Sequence, residues 1–250
     1  MSSVAISGLG VRFGSLEVLR DLSLNVADGE FVSILGPSGC GKSTTFSVLT
    51  GAVPSHAGSM SVDERPVARD DFAFMPQKDA LFPWRRIIDN LTLGLEVAGT
   101  KRPAARSKVT PLLEPFGLDG FERSYPFQLS GGMRQRAALL RTVVQDRGVL
   151  LLDEPFGALD ALTRAKMQRW VSHMWERYRW TVLLVTHDVR EAVYLSDRIY
   201  VFSARPATVV DSVPVGLPRP RDFGSPEFAA LEKRLLDLLI GEDSGADIAV

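Results

Sequence analysis

A glycine-rich segment, Gly36-Pro-Ser-Gly-Cys-Gly-Lys-Ser-Thr44, is the feature that most constrains what this chain can fold into. It satisfies the pattern G-x-x-x-x-G-K-[ST], which belongs between a buried strand and a helix. The apolar run Phe31-Val-Ser-Ile-Leu35 precedes it, and residues 42–50, closed by Gly51, have the composition of a short helix. This order of strand, loop and helix predicts an α/β fold with an anion site at the helix N-terminus.

Each position of the loop suits the binding of a nucleotide phosphate. Glycines allow successive backbone N–H groups to point at an anion, Lys42 can reach the β- and γ-phosphates, and the Ser43 hydroxyl can bind Mg²⁺. Cys40 is interpreted as a small residue that fits the loop, with a redox role as the alternative. The sequence therefore predicts ATP with Mg²⁺ as the ligand. The predicted binding residues are Gly36, Pro37, Ser38, Gly39, Cys40, Gly41, Lys42, Ser43 and Thr44.

Further apolar runs lead into polar residues. Residues 149–152 lead into Asp153-Glu154, residues 182–185 lead into Thr186-His187-Asp188, and the run 199–202 follows. Leucine-rich and β-branched runs of this length indicate strands buried on both faces, and hence a mainly parallel sheet. Because such sheets bind ligands at the carboxyl ends of their strands, these polar residues are candidates for the site.

The rest of the chain divides by its pattern of apolar residues. Residues 4–13 and 18–26 predict antiparallel strands joined near Gly14-Ser15, and residues 132–145 and Ala161–Tyr178 predict helices. The predicted organisation is one domain over residues 1–250, with an α/β core from 1–77 and 149–205 and a helical subdomain from 78–148. The first part of the helical subdomain is expected to be broken into short helices by Pro83, Pro103, Pro111 and Pro115. A tail follows from 206–250, with an amphipathic helix around 228–240.

The acidic pair Asp153-Glu154 follows the most apolar of these strands. A carboxylate at that strand end is placed to hold Mg²⁺, and hydrolysis also needs a group that orients or deprotonates the attacking water. We therefore expect Ser43 and Asp153 at the metal, with Glu154 and Lys42 in catalytic roles. The alternative is a pair of solvated acids at a turn.

Charge and composition exclude several other classes of function. With 29 basic and 30 acidic residues, the net charge of −1 gives no field that would recruit nucleic acid or anionic lipid. The most apolar stretch, residues 137–152, is interrupted by charged residues and does not predict a membrane span. The first ten residues do not predict a signal peptide, and a single cysteine favours a reducing, cytosolic setting. Any membrane role is therefore expected to come through a partner.

A third motif, Leu129-Ser-Gly-Gly-Met-Arg-Gln-Arg136, lies between the loop and the acidic pair. With it, the chain resembles the ABC-type ATPases, the nucleotide-binding subunits of ATP-driven transporters. The resemblance covers residues 4–210 and implies a P-loop NTPase (RecA-like) core with a mainly parallel sheet, an N-terminal antiparallel β subdomain and an inserted helical subdomain. The other matching positions are Gln77 in Met75-Pro-Gln77, Asp160 in Ala158-Leu-Asp160, His187, and Phe13 as the aromatic that stacks on adenine, for which Val11 is an alternative.

The resemblance also implies a head-to-tail pair of subunits, with ATP held between the loop of one and the signature motif of the other. Ser130, Gly131 and Gly132 would then complete the partner's nucleotide site. Asp160 would couple the two sites, and His187 would hold the γ-phosphate. Gln77 would contact Mg²⁺ and link the catalytic site to a membrane subunit.

The segment Asp79-Ala-Leu-Phe-Pro-Trp-Arg85 resembles the corresponding segment of the nitrate, sulfonate and taurine importer group. In that group, the segment Phe82-Pro83-Trp84 would contact a transmembrane permease, with a solute-binding protein as an indirect partner. We therefore expect a peripheral subunit at the cytoplasmic face of the membrane, without a nucleic-acid partner. The alternatives are a soluble ABC ATPase acting on nucleic acid or the ribosome, a non-catalytic nucleotide-binding regulator, and the ATPase of a separately encoded exporter.

Overall fold

Short apolar strands alternate with helices through residues 2–243, which a computed structural model describes. The strands are β1 (Val4–Phe13), β2 (Leu16–Val26), β3 (Phe31–Leu35), β4 (Ala57–Val62), β5 (Arg65–Pro66), β6 (Phe72–Met75), β7 (Val149–Asp153), β8 (Thr181–Thr186), β9 (Arg198–Phe202) and β10 (Val209–Pro214). The helices are α1 (Lys42–Leu49), α2 (Ile87–Leu91), α3 (Leu93–Val97), α4 (Arg102–Leu113), α5 (Gly131–Val143), α6 (Ala161–Tyr178), α7 (Val189–Leu195) and α8 (Pro226–Asp243).

The central sheet has six strands in the order β10-β9-β3-β8-β7-β6. Only β10 is antiparallel to its neighbour, so the predicted mainly parallel sheet is confirmed. Every residue of β3, β7 and β8 is buried, as expected for strands covered by helices on both faces. The carboxyl ends of β3, β7 and β8 lie side by side, which brings the phosphate loop, Asp153-Glu154 and His187 to one edge of the sheet.

The N-terminal sheet is antiparallel, with the order β2-β1-β4-β5. Its first two strands form the predicted hairpin, in which Phe13 pairs with Leu16 and Gly14 turns the chain at φ 58°. Apolar residues of this sheet, including Val11 and Leu19, share a core with Phe46 of α1 and with one face of the central sheet. The antiparallel sheet therefore packs next to the phosphate loop.

The helical insertion lies between β6 and β7 and comprises α2 to α5. The prediction that Pro111 breaks a helix is wrong, because this residue lies inside α4. Its missing N–H removes one bond only two residues before the helix ends, while Ala105, Val109 and Leu113 form a buried stripe at helical spacing. Burial of that stripe outweighs the local cost of the proline.

The segment after residue 205, predicted as a tail with an amphipathic helix, also contributes to the sheet. Strand β10 pairs with β9 at the sheet edge, and the predicted helix is α8, which packs on α7. The Phe223 ring stacks on Tyr194 of α7 with centroids 4.3 Å apart. This segment therefore covers the helix that begins two residues after His187.

Candidate nucleotide site

The phosphate loop joins β3 to α1, and its backbone surrounds the Lys42 side chain. Lys42 Nζ donates hydrogen bonds of 2.8 Å to the carbonyl oxygens of Gly36 and Pro37. Gly41 adopts φ 131°, and a Cβ there would lie 2.7 Å from Leu19, so both the backbone and the packing require glycine. The N-terminus of α1 has no side-chain cap, which leaves its N–H groups available to an anion.

Residues of the loop face in different directions. Ser38, Gly39 and Ser43 are exposed, whereas Cys40 is buried and packs in the core beneath the antiparallel sheet. Burial raises the pKa of the Cys40 thiol, which keeps it in the neutral form. The Cys40 side chain therefore fills space, as the small-residue interpretation expects.

Ser43 and Asp153 come together across the loop and the end of β7. The Ser43 hydroxyl donates a 3.0 Å hydrogen bond to Asp153 Oδ1. Burial and the neighbouring charge of Glu154 raise the pKa of Asp153, whereas the Ser43 bond and the Lys42 charge lower it. A hydroxyl and a carboxylate in contact, beside a cationic loop, form a donor set suited to Mg²⁺ that is also held by phosphate oxygens.

Glu154 is the centre of the predicted catalytic residues. Gln77 Nε2 donates a 3.0 Å bond to Glu154 Oε2, and His187 Nδ1 lies 3.2 Å from Oε1. The three residues follow β6, β7 and β8, which are neighbours in the sheet. Glu154 itself has φ 43°, a left-handed conformation that costs a non-glycine residue about 1–2 kcal/mol. The backbone turn directs its carboxylate to both neighbours.

The signature residues and Asp160 lie at the starts of two packed helices. Ser130 Oγ accepts a 3.3 Å bond from the Met133 N–H as the N-cap of α5, and Asp160 caps α6 in the same way. A Cβ at Gly132 would lie 3.1 Å from Thr163, so the helix starts approach closely there. Within residues 2–243, no hydrogen bond or ion pair joins residues 130–132 or Asp160 to the Glu154 cluster or to the phosphate loop.

Phe13 and Trp84, which are predicted to contact adenine and the permease, are exposed aromatic residues outside the cluster around Glu154. Phe13 ends β1 with 49% of its surface exposed, whereas its alternative Val11 is fully buried. Trp84 is 71% exposed and packs against Phe82, with ring centroids 5.2 Å apart. The side chain of Asn90 holds this segment through bonds to both the N–H and the carbonyl of Phe82. Trp84 is therefore presented on an anchored loop.

Sequence reasoning missed several residues that connect these parts. Arg134 donates to the Leu129 carbonyl at 2.8 Å and lies 3.3 Å from the Asp79 carboxylate, which ties the signature motif to the segment after Gln77. Glu191 is buried near His187 and is hydrogen-bonded to Gln168 of α6. The only sequence signal for Glu191 is an acidic residue within the apolar stretch Val189–Leu195.

Comparison with known proteins agrees with this geometry. The family model described as ABC transporter matches residues 19–157. A putative ATP-binding protein of Brucella abortus (strain 2308) is 43% identical over 237 residues, covering 93% of this chain and 91% of that protein. The aliphatic sulfonates import ATP-binding protein SsuB 2 of Pseudomonas aeruginosa (strain UCBPP-PA14) is 44% identical over 244 residues, covering 96% and 85%.

Solved structures extend the likeness to the fold. The dimeric, post-hydrolysis ATP-binding cassette MJ0796 bound to ADP and Pi superposes with a TM-score of 0.71 and 27% identity, over 86% of this chain and 100% of that one. The expected fold class is thereby confirmed. This assignment rests on the matched family model, on relatives that cover most of the chain and on the polar residues gathered at the ends of the strands. The chain belongs to the ABC transporter family, as an ATP-binding cassette.

Proposed function

We propose that this chain is the ATP-hydrolysing subunit of an ABC-type importer for aliphatic sulfonates. The observation that carries the ATPase mechanism is the contact of Glu154 with both Gln77 and His187, next to the Ser43–Asp153 pair. The relatives named as aliphatic sulfonates import ATP-binding proteins, 41% identical in Bacillus licheniformis and 44% in Pseudomonas aeruginosa, support the substrate class. Each of them matches most of this chain.

Nucleotide binding is assigned to the loop of residues 36–44. Lys42 and the free N–H groups at the start of α1 would hold the phosphates, and the exposed ring of Phe13 would stack on the base. Bound Mg²⁺ would neutralise charge on the phosphate oxygens. Ser43 and Asp153 would hold it, and Gln77 would join them when its amide leaves Glu154.

Hydrolysis is assigned to Glu154. Its carboxylate would orient the attacking water and accept a proton from it, and general-base assistance of this kind is worth about 10²–10⁴-fold in rate. Gln77 and His187 each contact one of its oxygens, so they would fix the carboxylate in position. His187 would also contact the γ-phosphate.

A second copy of the chain is assigned to complete the site. Ser130 caps α5 through its lone pair, so its hydroxyl proton stays free to donate to a phosphate oxygen. The Ser130 and Asp160 side chains are exposed rather than turned toward the chain's own loop. Together with the dimeric state of the similar cassette MJ0796, this supports a head-to-tail pair in which residues 130–132 bind the partner's nucleotide and Asp160 couples the sites.

The permease contact is assigned to the segment that includes Phe82, Pro83 and Trp84. An exposed aromatic such as Trp84 on an anchored loop is typical of protein interfaces, in which such residues act as anchors. In the described part of the chain, no helix has the length and apolar character needed to cross a bilayer. In this proposal, the permease would hold the subunit at the cytoplasmic face of the membrane, and a solute-binding protein would deliver the sulfonate.

The test is the isosteric change Glu154→Gln, which keeps the shape of the side chain and one acceptor oxygen but removes the base. We expect ATP binding, measured by calorimetry, to stay close to that of the wild type, and phosphate release to fall by about 10²–10⁴-fold. The same change at exposed Glu227 on α8 serves as the control and should leave turnover unchanged. Turnover within a few-fold of wild type in Glu154→Gln would overturn the assignment.

A further inference from the structure

A small recess lies beside the Glu154–His187 contact, with a volume of about 20 Å³. It is enclosed by the end of β7, the first turns of α6 and the segment that joins β8 to α7. The polar residues that line it are Glu154, Arg164, Thr186, His187, Asp188 and Glu191. The interior of a recess of this size suits one water molecule.

Two polar atoms of the lining residues are buried without a partner. Glu191 Oε1 and Arg164 Nε make no hydrogen bond within the described residues, although Glu191 is only 3% exposed. The other carboxyl oxygen of Glu191 accepts a 3.3 Å bond from Gln168 Nε2. A buried polar group without a hydrogen-bond partner is unfavourable, so a pair of such groups beside one recess favours a common bound partner.

The charges around Glu191 determine what that partner can be. Burial and the nearby Asp188 carboxylate raise the pKa of Glu191 to about 8, while Thr186, Gln168 and Arg164 oppose the rise. At neutral pH, Glu191 is therefore a neutral acid that can donate its proton. Arg164 Nε is also a donor, and its positive charge disfavours a cation, whereas the acidic groups Glu154 and Asp188 disfavour an anion. A neutral acceptor with two lone pairs meets these conditions.

We propose that this recess is a binding site for one ordered water molecule, through which Glu191 and Arg164 position the segment that carries His187. The idea rests on the proposed ATPase function, because it concerns the same catalytic pair. Glu191 is a positioning residue in this arrangement and does not touch the nucleotide.

The surrounding bonds explain how the position of His187 depends on the recess. The Thr186 hydroxyl accepts a 3.0 Å bond from the Asp188 N–H, and Asp188 Oδ1 accepts a 3.1 Å bond from the Glu191 N–H. Arg164 of α6 lies 3.6 Å from the Asp188 carboxylate. Both neighbours of His187 are thus fixed to one network, and loss of the Glu191–water–Arg164 bridge would loosen α7 against α6.

The experiment compares Glu191→Gln and Glu191→Leu in the full-length protein, with Glu154→Gln measured alongside. Glutamine reproduces the neutral acid, so kcat at pH 7 should stay within about 3-fold of wild type. Leucine removes the bridge, so kcat should fall about 10-fold or more with KM for ATP unchanged, because misplacement by 1 Å costs catalysis more than binding. The same glutamine change at Glu232, which lies near Arg190 on the outer side of α7, is the control and should change neither value.

The pH profile of kcat supplies the readout that a purely structural residue would not move. Above pH 8 the wild-type Glu191 ionises beside Asp188, so kcat should fall, whereas Glu191→Gln should lose this alkaline decline. Persistence of the decline in the glutamine variant would overturn the proposal even if Glu191→Leu does not fold. If Glu154→Gln abolishes turnover and neither Glu191 variant changes kcat, the water site fails alone. If Glu154→Gln retains turnover, the proposed function fails.

Discussion

Arg221 offers a sharp test of how the C-terminal segment supports the site. Its guanidinium is buried and donates to the carbonyl oxygens of Val193 at 2.7 Å and Tyr194 at 3.0 Å, with longer bonds to Val215 and Leu217. The first two carbonyls belong to the last turn of α7, which has no intrahelical donors left for them. Arg221 therefore caps α7 from the segment that covers it.

The magnitude follows from these bonds. Hydrogen bonds from a charged donor contribute about 1.5–3 kcal/mol each, so the two shorter bonds account for about 3–6 kcal/mol. Burial, together with the nearby Arg219 charge, lowers the pKa of Arg221 to about 10, so the cost of burying the charge offsets part of that gain. Arg221→Met avoids that cost and keeps the aliphatic packing. We therefore expect a loss near the lower limit, about 3 kcal/mol.

The assay is urea unfolding of the full chain, followed by circular dichroism, together with the melting temperature. A loss of about 3 kcal/mol should lower Tm by roughly 6–12 °C in a protein of this size. Arg234→Met is the matched control, because within residues 2–243 the only ion pair of this α8 arginine is the exposed one with Asp211 at 3.0 Å. Its loss should cost less than about 1 kcal/mol. Equal stability of the two variants would refute the capping argument.

Two other predictions concern the assembly. Ser130→Arg should leave ATP binding near normal but suppress hydrolysis, measured by phosphate release. Mixing this variant with Lys42→Ala should restore at most one working ATP site per pair of subunits. Full ATPase activity of Ser130→Arg alone would contradict the paired site. Changing both Phe82 and Trp84 to Ala should reduce co-purification with the permease, while basal ATPase activity stays within about 2-fold of wild type. The change Phe127→Ala, at another exposed aromatic, is the control. Unchanged co-purification of the double variant would count against a permease contact through residues 82–84.

The sequence predicted the parts of the fold that local patterns determine. The limits of α6 match the predicted helix, and the strands before Gly36, Asp153 and His187 are present because each is a continuous apolar run. Strands β4, β6 and β10 were not predicted. They are short or rich in small and polar residues, and they exist because a neighbouring strand pairs with them. Tertiary pairing of this kind leaves little trace in a single sequence.

The same distinction applies to the candidate site. Lys42, Asp153, Glu154 and His187 could be named from the sequence because each directly follows an apolar strand or lies within one local motif. Arg164 and Glu191 carry no motif, and only the packing of α6 against α7 makes them neighbours. The spacing of residues in the sequence therefore could not predict the role proposed for them.

The helix caps fix two of the residues that are proposed to complete a partner's nucleotide site. Ser130 and Asp160 each hold a helix start through an oxygen lone pair, so both are ordered before any partner or nucleotide arrives. Glu154 is likewise held by Gln77 and His187 within its own chain. In the proposed pair, association would therefore require little reordering of these side chains, and more of the binding energy would be available to close the interface. Because Gln77 also begins the segment that leads to Trp84, a permease that moves this segment would act first on the Gln77–Glu154 bond.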